Sequence, residues 1–208
     1  MRPNTFVIGY KNHARRIILN VLSSKCFDRV FVYHPDKSKL SDSHQLGESV
    51  VPTDDFDLVS ECECVFISSP SETHCEYIKK VHHRAKKLGR PIYIYCEKPI
   101  ATNWDQINWL RANESILHQT LFTGFNLQYS AFSNTVLAHI EREDIGTPIS
   151  ANFQVTHGLA FKAGVGSNWR FTDDKPFSAI LGNLGIHYIQ LSLKLFGPIA
   201  ESYAVDSR

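Results

Sequence analysis

A glutamate, a lysine and a proline stand together at residues 97–99, directly after a short apolar segment. That segment, residues 91–96, reads PIYIYC and is rich in Ile and Tyr, which favours a short buried strand over a helix. Open α/β sheets bind their ligands at the carboxyl ends of the strands, so Lys98 is expected near the floor of such a crevice. Taken alone, the triplet favours a charged surface turn, since charges and prolines are common at strand ends.

A second candidate site lies in the turn after the first predicted strand, residues 5–9 (TFVIG). The helix predicted for residues 14–22 follows this turn, with apolar residues at helical spacing. Gly9, Lys11 and Ala14 stand where dinucleotide-binding turns carry three small residues. Lys11 replaces the glycine that lets the backbone approach a pyrophosphate, although a lysine and a helix amino terminus both attract phosphate. Alone, this turn is a weak indication of nucleotide binding.

Three more residues are candidates for contact with a bound nucleotide. Tyr10 and Asn12 share the first turn, and Asn12 is also expected to cap the helix that follows. His34 follows the second predicted strand, residues 30–33, where dinucleotide-binding folds carry an acid for the adenosine ribose. A histidine there would tolerate a 2′-phosphate better than an acid would. His34 is explained at least as well as an exposed turn residue that binds no ligand.

The order of the predicted elements indicates a parallel α/β sheet. Residues 53–59 predict a short capped helix, residues 64–70 (CVFISSP) a buried strand, and residues 72–88 an amphipathic helix that ends at Gly89. Together with the earlier elements, this alternation of strands and helices is typical of a doubly wound sheet. His74 lies in the first turn of the second long helix, beside the expected crevice.

Composition excludes several classes of protein. The 208 residues include 22 Lys and Arg against 21 Asp and Glu, and a net charge of +1 gives no basic surface for nucleic acid. No apolar run approaches the roughly 20 residues of a membrane helix, and the amino terminus lacks the pattern of a signal peptide. The five cysteines are scattered, and Cys62 and Cys64 lack a second ligand pair. We therefore expect no metal site, and reduced thiols in a cytoplasmic protein.

The sequence ISSPSETHCEYI is followed, after a helix, by a strand and EKPIATN. The order of these motifs resembles the Gfo/Idh/MocA family, named after glucose–fructose oxidoreductase and inositol dehydrogenase. GFNLQYSAF at residues 124–132 is similar to the family's Gly-Phe-Asn-x-Arg-Phe segment, with Gln128 where Arg is usual. Trp169-Arg170 and GNLGIH at residues 182–187 match two further landmarks. The resemblance covers essentially the whole chain.

The resemblance implies two domains. Residues 1–122 would form a Rossmann-type, doubly wound parallel sheet. Residues 123–208 would form part of an α+β domain with an open, mainly antiparallel sheet that includes residues 149–155 and 199–205. Family members continue for around 100 further residues, so the chain could be a fragment, a shortened member, or one that a partner completes. That sheet normally forms the subunit interface, which suggests a homo-oligomer.

The resemblance also implies an activity. Family members bind NAD or NADP and transfer hydride to or from a carbon–oxygen bond, typically of a sugar or cyclitol. Lys98 would hydrogen-bond the reacting oxygen and stabilise its negative charge. His187 would be the acid–base residue, a role for which an unperturbed pKa of about 6.5 is suited. Asn183 stands where members usually have Asp, and its amide can orient a substrate hydroxyl but cannot take a proton.

The remaining site residues follow from the same resemblance. Glu97 would lie near the nicotinamide ribose. Ser69, Pro70 and His74 would line the cofactor crevice, and Trp169 and Arg170 would approach the nicotinamide or the substrate. The absence of an acid at His34 leans towards NADP.

The sequence leaves three alternatives open. His187 could be a core histidine on the apolar face of its helix. Lys11, Asn183 and the short chain favour a catalytically inactive member that binds a nucleotide or a protein partner. A redox-neutral reaction that uses a tightly held NAD, such as glycoside cleavage, is a third possibility.

Overall fold

The computed structural model of the chain describes residues 2–154 and 181–203. Six parallel strands form one sheet with the order β3-β2-β1-β4-β5-β6. The strands are β1 (Asn4–Ile8), β2 (Val30–Tyr33), β3 (Val50–Thr53), β4 (Cys62–Ile67), β5 (Tyr93–Cys96) and β6 (Leu121–Thr123). The order reverses between β1 and β4, which is the switch point where such sheets bind ligands.

The described residues contain six α-helices: α1 (Asn12–Ser24), α2 (Ser71–Leu88), α3 (Trp104–Ala112), α4 (Glu114–Leu117), α5 (Ala131–Glu141) and α6 (Ile186–Phe196). Phe6 and Ile8 of β1 pack in the cluster that contains Ile78 of α2. Val7 packs on the opposite face with Ile18 of α1. Because helices cover both faces, the central strands are apolar runs without polar alternation. The predicted Rossmann-type, doubly wound sheet is confirmed.

Two local predictions in this part of the chain were wrong. Asn12 does not cap α1, because it is the first helical residue and Lys11 is the N-cap, without a side-chain hydrogen bond. Thr53 ends strand β3, and the segment that follows is a 3₁₀ turn, Phe56–Glu61, capped by the side chain of Asp55. An edge strand accepts the proline at residue 52 because one side of the strand needs no ladder partner.

The described residues fall into two compact units, divided between Gly124 and Phe125. The second unit contains a 3₁₀ turn (Asn126–Tyr129), α5, a π-helical turn (Leu181–Gly185) and α6. Of the strands predicted here, residues 149–154 and 199–203 are described and neither segment is a strand. A strand needs a neighbour to pair its backbone groups, and the described residues of this unit provide none.

None of the helices in the described ranges is both long enough and apolar enough to cross a membrane.

Candidate functional site

The candidate site lies at the carboxyl ends of the strands on either side of the switch point. The backbone N–H groups of Gly9, Ser68, Glu97 and Gly124 each extend the parallel hydrogen-bond ladder one residue past the end of a strand. The residues that follow β1, β4, β5 and β6 therefore stand side by side along one edge of the sheet.

Gly9 makes the tight turn between β1 and α1. Its φ of +104° lies in a region that favours glycine, and a Cβ added there would lie 2.6 Å from the carbonyl oxygen of Ser68. Ala14 is fully buried one turn into α1, as the close packing of helix on strand requires. Gly9 and Ala14 therefore have the surroundings that the sequence pattern predicted.

Lys11 occupies the position of the pattern's missing glycine. Its φ of −78° and ψ of 178° are extended, so the backbone needs no glycine there, and its side chain is exposed. The first backbone N–H groups of α1 follow directly, and such groups have no partners within their own helix. The turn can therefore present N–H donors and a lysine cation to a phosphate.

The loop after β4 is held together by hydroxyl groups. The hydroxyls of Ser69 and Thr73 lie 2.7 Å apart, and the Thr73 hydroxyl donates to the carbonyl oxygen of Pro70. These contacts fix the start of α2 beside the turn made by Gly9. Ser69 and Pro70 remain candidates for lining a crevice there.

His74 is a buried residue beside the loop after β4. Its side chain is only 1% exposed. Nε2 lies 2.8 Å from the carbonyl oxygen of Ser69, and Nδ1 lies 2.8 Å from that of Pro99. His74 braces the loop after β4 against the loop after β5, and both ring nitrogens are engaged with the protein.

Glu97 has two partners that sequence reasoning missed. Nε2 of His13, in the first turn of α1, lies 2.8 Å from Oε1 of Glu97. The hydroxyl of Tyr95 donates to the same oxygen over 2.9 Å. Tyr95 could have been found, because residues two apart on a strand share a face. For His13, the sequence gives only one indication, which is its place in the turn that contains Gly9, Lys11 and Ala14.

His13 and Glu97 shift each other's pKa. The hydrogen bond to Glu97 raises the pKa of His13 above its ordinary value, while burial and the nearby cations Arg16 and Lys98 oppose that rise. Burial acts to raise the pKa of Glu97, but hydrogen bonds from His13 and Tyr95 outweigh it and lower that pKa below its ordinary value. An ionised pair is therefore favoured between helix α1 and the end of β5.

Lys98 is half-buried directly after Glu97, at the carboxyl end of β5, and its peptide bond to Pro99 is cis. Its place at the end of a central parallel strand is the one that the sequence predicted. A cation at this position can stabilise negative charge that develops on a bound oxygen.

The end of β2 carries His34 where dinucleotide-binding folds usually carry an acid. Nδ1 of His34 lies within 3.0 Å of the backbone N and O atoms of Asp36, which ties the ring to its own turn. The carboxylate of Asp36 accepts hydrogen bonds from the backbone and hydroxyl of Ser38. Lys37 lies 3.6 Å from Asp54.

Tyr10 packs inward from the same turn as Lys11. It is buried, and the guanidinium of Arg15 lies 5.1 Å from the centre of its ring. Arg15 also pairs with Asp42 over 2.8 Å. The side chain of Tyr10 therefore supports the turn instead of extending from it.

The remaining predicted residues belong to the second unit. His187 is the second residue of α6 and is half-buried, and its ring meets that of Phe125 edge to face at 6.0 Å. Asn183 lies in the π-helical turn that precedes α6. Gln128, in place of the family's usual arginine, accepts a hydrogen bond from Nε2 of Gln190. Trp169 and Arg170 lie outside the described residues.

Among the described residues, no group of three or more His, Cys, Asp or Glu side chains could hold a metal ion.

Comparison with known protein families identifies the family of this chain. Residues 4–125 match the model of the Gfo/Idh/MocA oxidoreductases, which is described as an oxidoreductase family with an NAD-binding Rossmann fold. The chain belongs to the Gfo/Idh/MocA family. The match contains Gly9, His13, His74 and the Glu97-Lys98 pair, so the whole edge described above lies within the family's Rossmann domain.

A curated relative and two solved structures illustrate the family. Glucose-6-phosphate 3-dehydrogenase of Bacillus subtilis is 26% identical over 143 residues, which are 67% of this chain and 38% of the relative. Myo-inositol 2-dehydrogenase from Lactobacillus plantarum has a TM-score of 0.69 at 19% identity, covering 95% of this chain and 57% of that one. Scyllo-inositol dehydrogenase from Lactobacillus casei, solved with NAD(H) and scyllo-inositol, has a TM-score of 0.54 at 19% identity, covering 70% and 43%.

This Gfo/Idh/MocA chain therefore spans less than two thirds of the length of each of these relatives. The structural likenesses support its fold.

Proposed function

We propose that this Gfo/Idh/MocA chain binds NAD or NADP at the carboxyl edge of its sheet and serves hydride transfer to or from a sugar- or cyclitol-like alcohol. The observation that carries the proposal is the alignment of Gly9, Ser68 and Glu97 across three adjacent strands, β1, β4 and β5, at the switch point. Lys98 follows immediately, so a cation lies at the same edge.

The edge fits a dinucleotide. Gly9 brings two loops so close that a Cβ would meet the Ser68 carbonyl, as a turn under a pyrophosphate requires. The amino terminus of α1, with Lys11 as its N-cap, would hold the phosphates. Glu97 would accept hydrogen bonds from the nicotinamide ribose. A bound nicotinamide supplies the hydride acceptor or donor.

The protein's own residues would handle the oxygen and its proton. Lys98 would hydrogen-bond the reacting oxygen and stabilise negative charge on it. His187 would take or give the proton, a task suited to imidazole near neutral pH. Asn183, four residues before His187, would orient a substrate hydroxyl through its amide.

We favour NADP over NAD. The usual ribose acid is replaced by His34, and Asp36, two residues further on, accepts hydrogen bonds from Ser38 through Oδ1. A 2′-phosphate on the ribose would therefore meet an imidazole at the position of the usual acid. The substrate class rests on the relatives, whose names specify a sugar phosphate and inositols.

The test is a fluorescence titration of the purified chain with NADH and NADPH, followed by turnover assays with sugars and cyclitols. We expect saturable binding with NADPH preferred, and turnover that Lys98→Met abolishes while binding remains. Lys87→Met, at an exposed site near the end of α2, is the matched control and should behave as wild type. Failure of a folded chain to bind either cofactor, or unchanged turnover in Lys98→Met, would contradict the proposal.

A catalytically inactive, nucleotide-binding member is the second candidate. Lys11 and Asn183, which depart from the family pattern, favour it. The same experiment separates the two functions, since this candidate predicts cofactor binding without turnover of any sugar or cyclitol in the panel.

A further inference from the structure

The carboxylate of Glu97 is held from two sides through one of its oxygens. His13 reaches it from the first turn of α1, although 84 residues separate the two in sequence. Tyr95 reaches it along β5. A Cβ added at Gly124 would lie 2.9 Å from the same Oε1 atom, so the backbone after β6 packs directly against it. The position of the carboxylate is therefore set by three separate elements.

These contacts hold the carboxylate of Glu97 in one orientation before a ligand binds. Both of these hydrogen bonds use the same oxygen of Glu97, Oε1. The Glu97 side chain is only 16% exposed, so its orientation is constrained, whereas His13 is 54% exposed and borders solvent. A carboxylate held in place before binding loses less freedom when a ligand arrives.

We propose that His13 and Tyr95 are positioning residues, which orient Glu97 towards the nicotinamide end of the cofactor, and that His13 makes cofactor affinity depend on pH. This inference rests on the proposed cofactor-binding function. It assigns roles to two residues that touch Glu97 and need not touch the cofactor.

The direction of the pH effect follows from charge. Glu97 raises the pKa of His13, against the opposing effects of burial, Arg16 and Lys98; His74 is the other histidine whose charge acts on Glu97. Below that raised pKa, the imidazolium holds Glu97 and offsets its negative charge. As pH rises through it, His13 loses its charge and the carboxylate faces a phosphate-bearing ligand without that compensation. Affinity should therefore fall as pH rises.

The first test measures the dissociation constants of NADH and NADPH between pH 6 and pH 9. For wild type we expect affinity to weaken by about two- to fivefold across this range, as for a partly exposed ion pair. Gln in His13→Gln keeps an N–H donor but cannot carry charge. The affinity of this variant for NADH and NADPH should therefore not change with pH. His83→Gln, an exposed histidine on α2, should follow wild type. Parallel profiles for wild type and His13→Gln would overturn the role of His13.

A matched pair of tyrosine variants tests the second contact. Tyr93 and Tyr95 are two residues apart on β5, and Tyr93 is exposed. Tyr95→Phe removes only a hydroxyl and should weaken cofactor binding by about two- to tenfold at every pH, as for the net contribution of one typical hydrogen bond. Tyr93→Phe should bind as wild type. Equal effects of the two changes would overturn the role of Tyr95.

An experiment without cofactor separates this inference from the proposed function. The imidazole protons of His13, followed by NMR, should titrate at a lower pH in Glu97→Gln than in wild type. An unchanged titration would overturn the pairing itself. Absence of cofactor binding by wild type at every pH would instead contradict the proposed function, whatever the titration of His13 shows.

Discussion

A side chain on Gly9 would place its Cβ 2.6 Å from the carbonyl oxygen of Ser68, closer than real Cβ atoms approach an oxygen. The two residues follow β1 and β4, the strands on either side of the switch point. The same glycine has a φ of +104°. Conformation and space therefore both require glycine here, which is the combination that a phosphate-binding turn needs.

Gly9→Ala should destabilise the first unit strongly. A non-glycine residue in a sparsely populated backbone region costs about 1–3 kcal/mol, and the contact with the Ser68 carbonyl adds to this because backbone cannot move aside cheaply. Urea unfolding followed by circular dichroism measures the change.

Gly89→Ala is the matched control for that experiment. Gly89 also has a positive φ, +64°, but nothing lies within 4 Å of its added Cβ. Its substitution should cost only the left-handed conformation, about 1–2 kcal/mol. If Gly9→Ala were no more destabilising than Gly89→Ala, the close approach to Ser68 would have no energetic weight.

His74→Leu should loosen the two loops that His74 braces. Leucine keeps an apolar volume but leaves the carbonyl oxygens of Ser69 and Pro99 without their imidazole partner, at about 1–3 kcal/mol for each buried group left unpaired. We expect a lower free energy of unfolding and faster hydrogen exchange at the start of α2. His82→Leu, on the same helix but packed edge to face on Trp109, should change stability less. Equal losses would contradict the bracing role.

Gly124→Ala should disturb Glu97 through Tyr95. The added Cβ would lie 2.7 Å from the Tyr95 hydroxyl and 2.9 Å from Oε1 of Glu97, so one of these groups must move. Tyr95→Phe removes the closer atom. The double variant should therefore lose less stability than the sum of the two single changes, which a double-mutant cycle of urea unfolding measures. Simple additivity would show that the new methyl group is accommodated without displacing the tyrosine hydroxyl.

The sheet could be predicted largely from sequence because buried parallel strands are short apolar runs. Residues 30–33 were predicted as a strand and form β2, and the Glu-Lys pair after β5 lies at the predicted end of its strand. Strand β3 was missed, since its proline and short length give no such run, and only pairing with β2 reveals it.

The side-chain contacts of the site could not be predicted in the same way. His13 and Glu97 meet only after β1, β4 and β5 have paired, and no local pattern specifies that meeting. His74 stands in the first turn of an amphipathic helix, where a polar side chain is expected to face solvent. Its burial depends on two carbonyl groups, one of them in another loop. Strands were predicted at residues 149–155 and 199–205 from the family resemblance, and the described parts of these segments, residues 149–154 and 199–203, form no strand.

The stability of the cofactor-free chain should depend on pH through His13 and Glu97. The stabilising contribution of Glu97 is lost on the acid side, and that of His13 is lost on the alkaline side. The folded-state pKa of Glu97 lies below its ordinary value of 4.5, so the contribution of Glu97 is present above that value and is lost as pH falls. The folded-state pKa of His13 lies above 6.5, so the contribution of His13 is present below that value and is lost as pH rises. The pair should therefore stabilise the fold most between about pH 4.5 and 6.5.

Urea unfolding of wild type and His13→Gln at pH 4, 5.5 and 8 measures this window. Groups common to both proteins cancel in the difference between the two free energies of unfolding. That difference should be largest at pH 5.5, at about 0.2–1 kcal/mol because His13 is half exposed, and smaller on both sides. A difference that is constant across the three pH values would mean that the two side chains meet without forming an ion pair, and the shared oxygen of Glu97 would then be held by neutral hydrogen bonds alone.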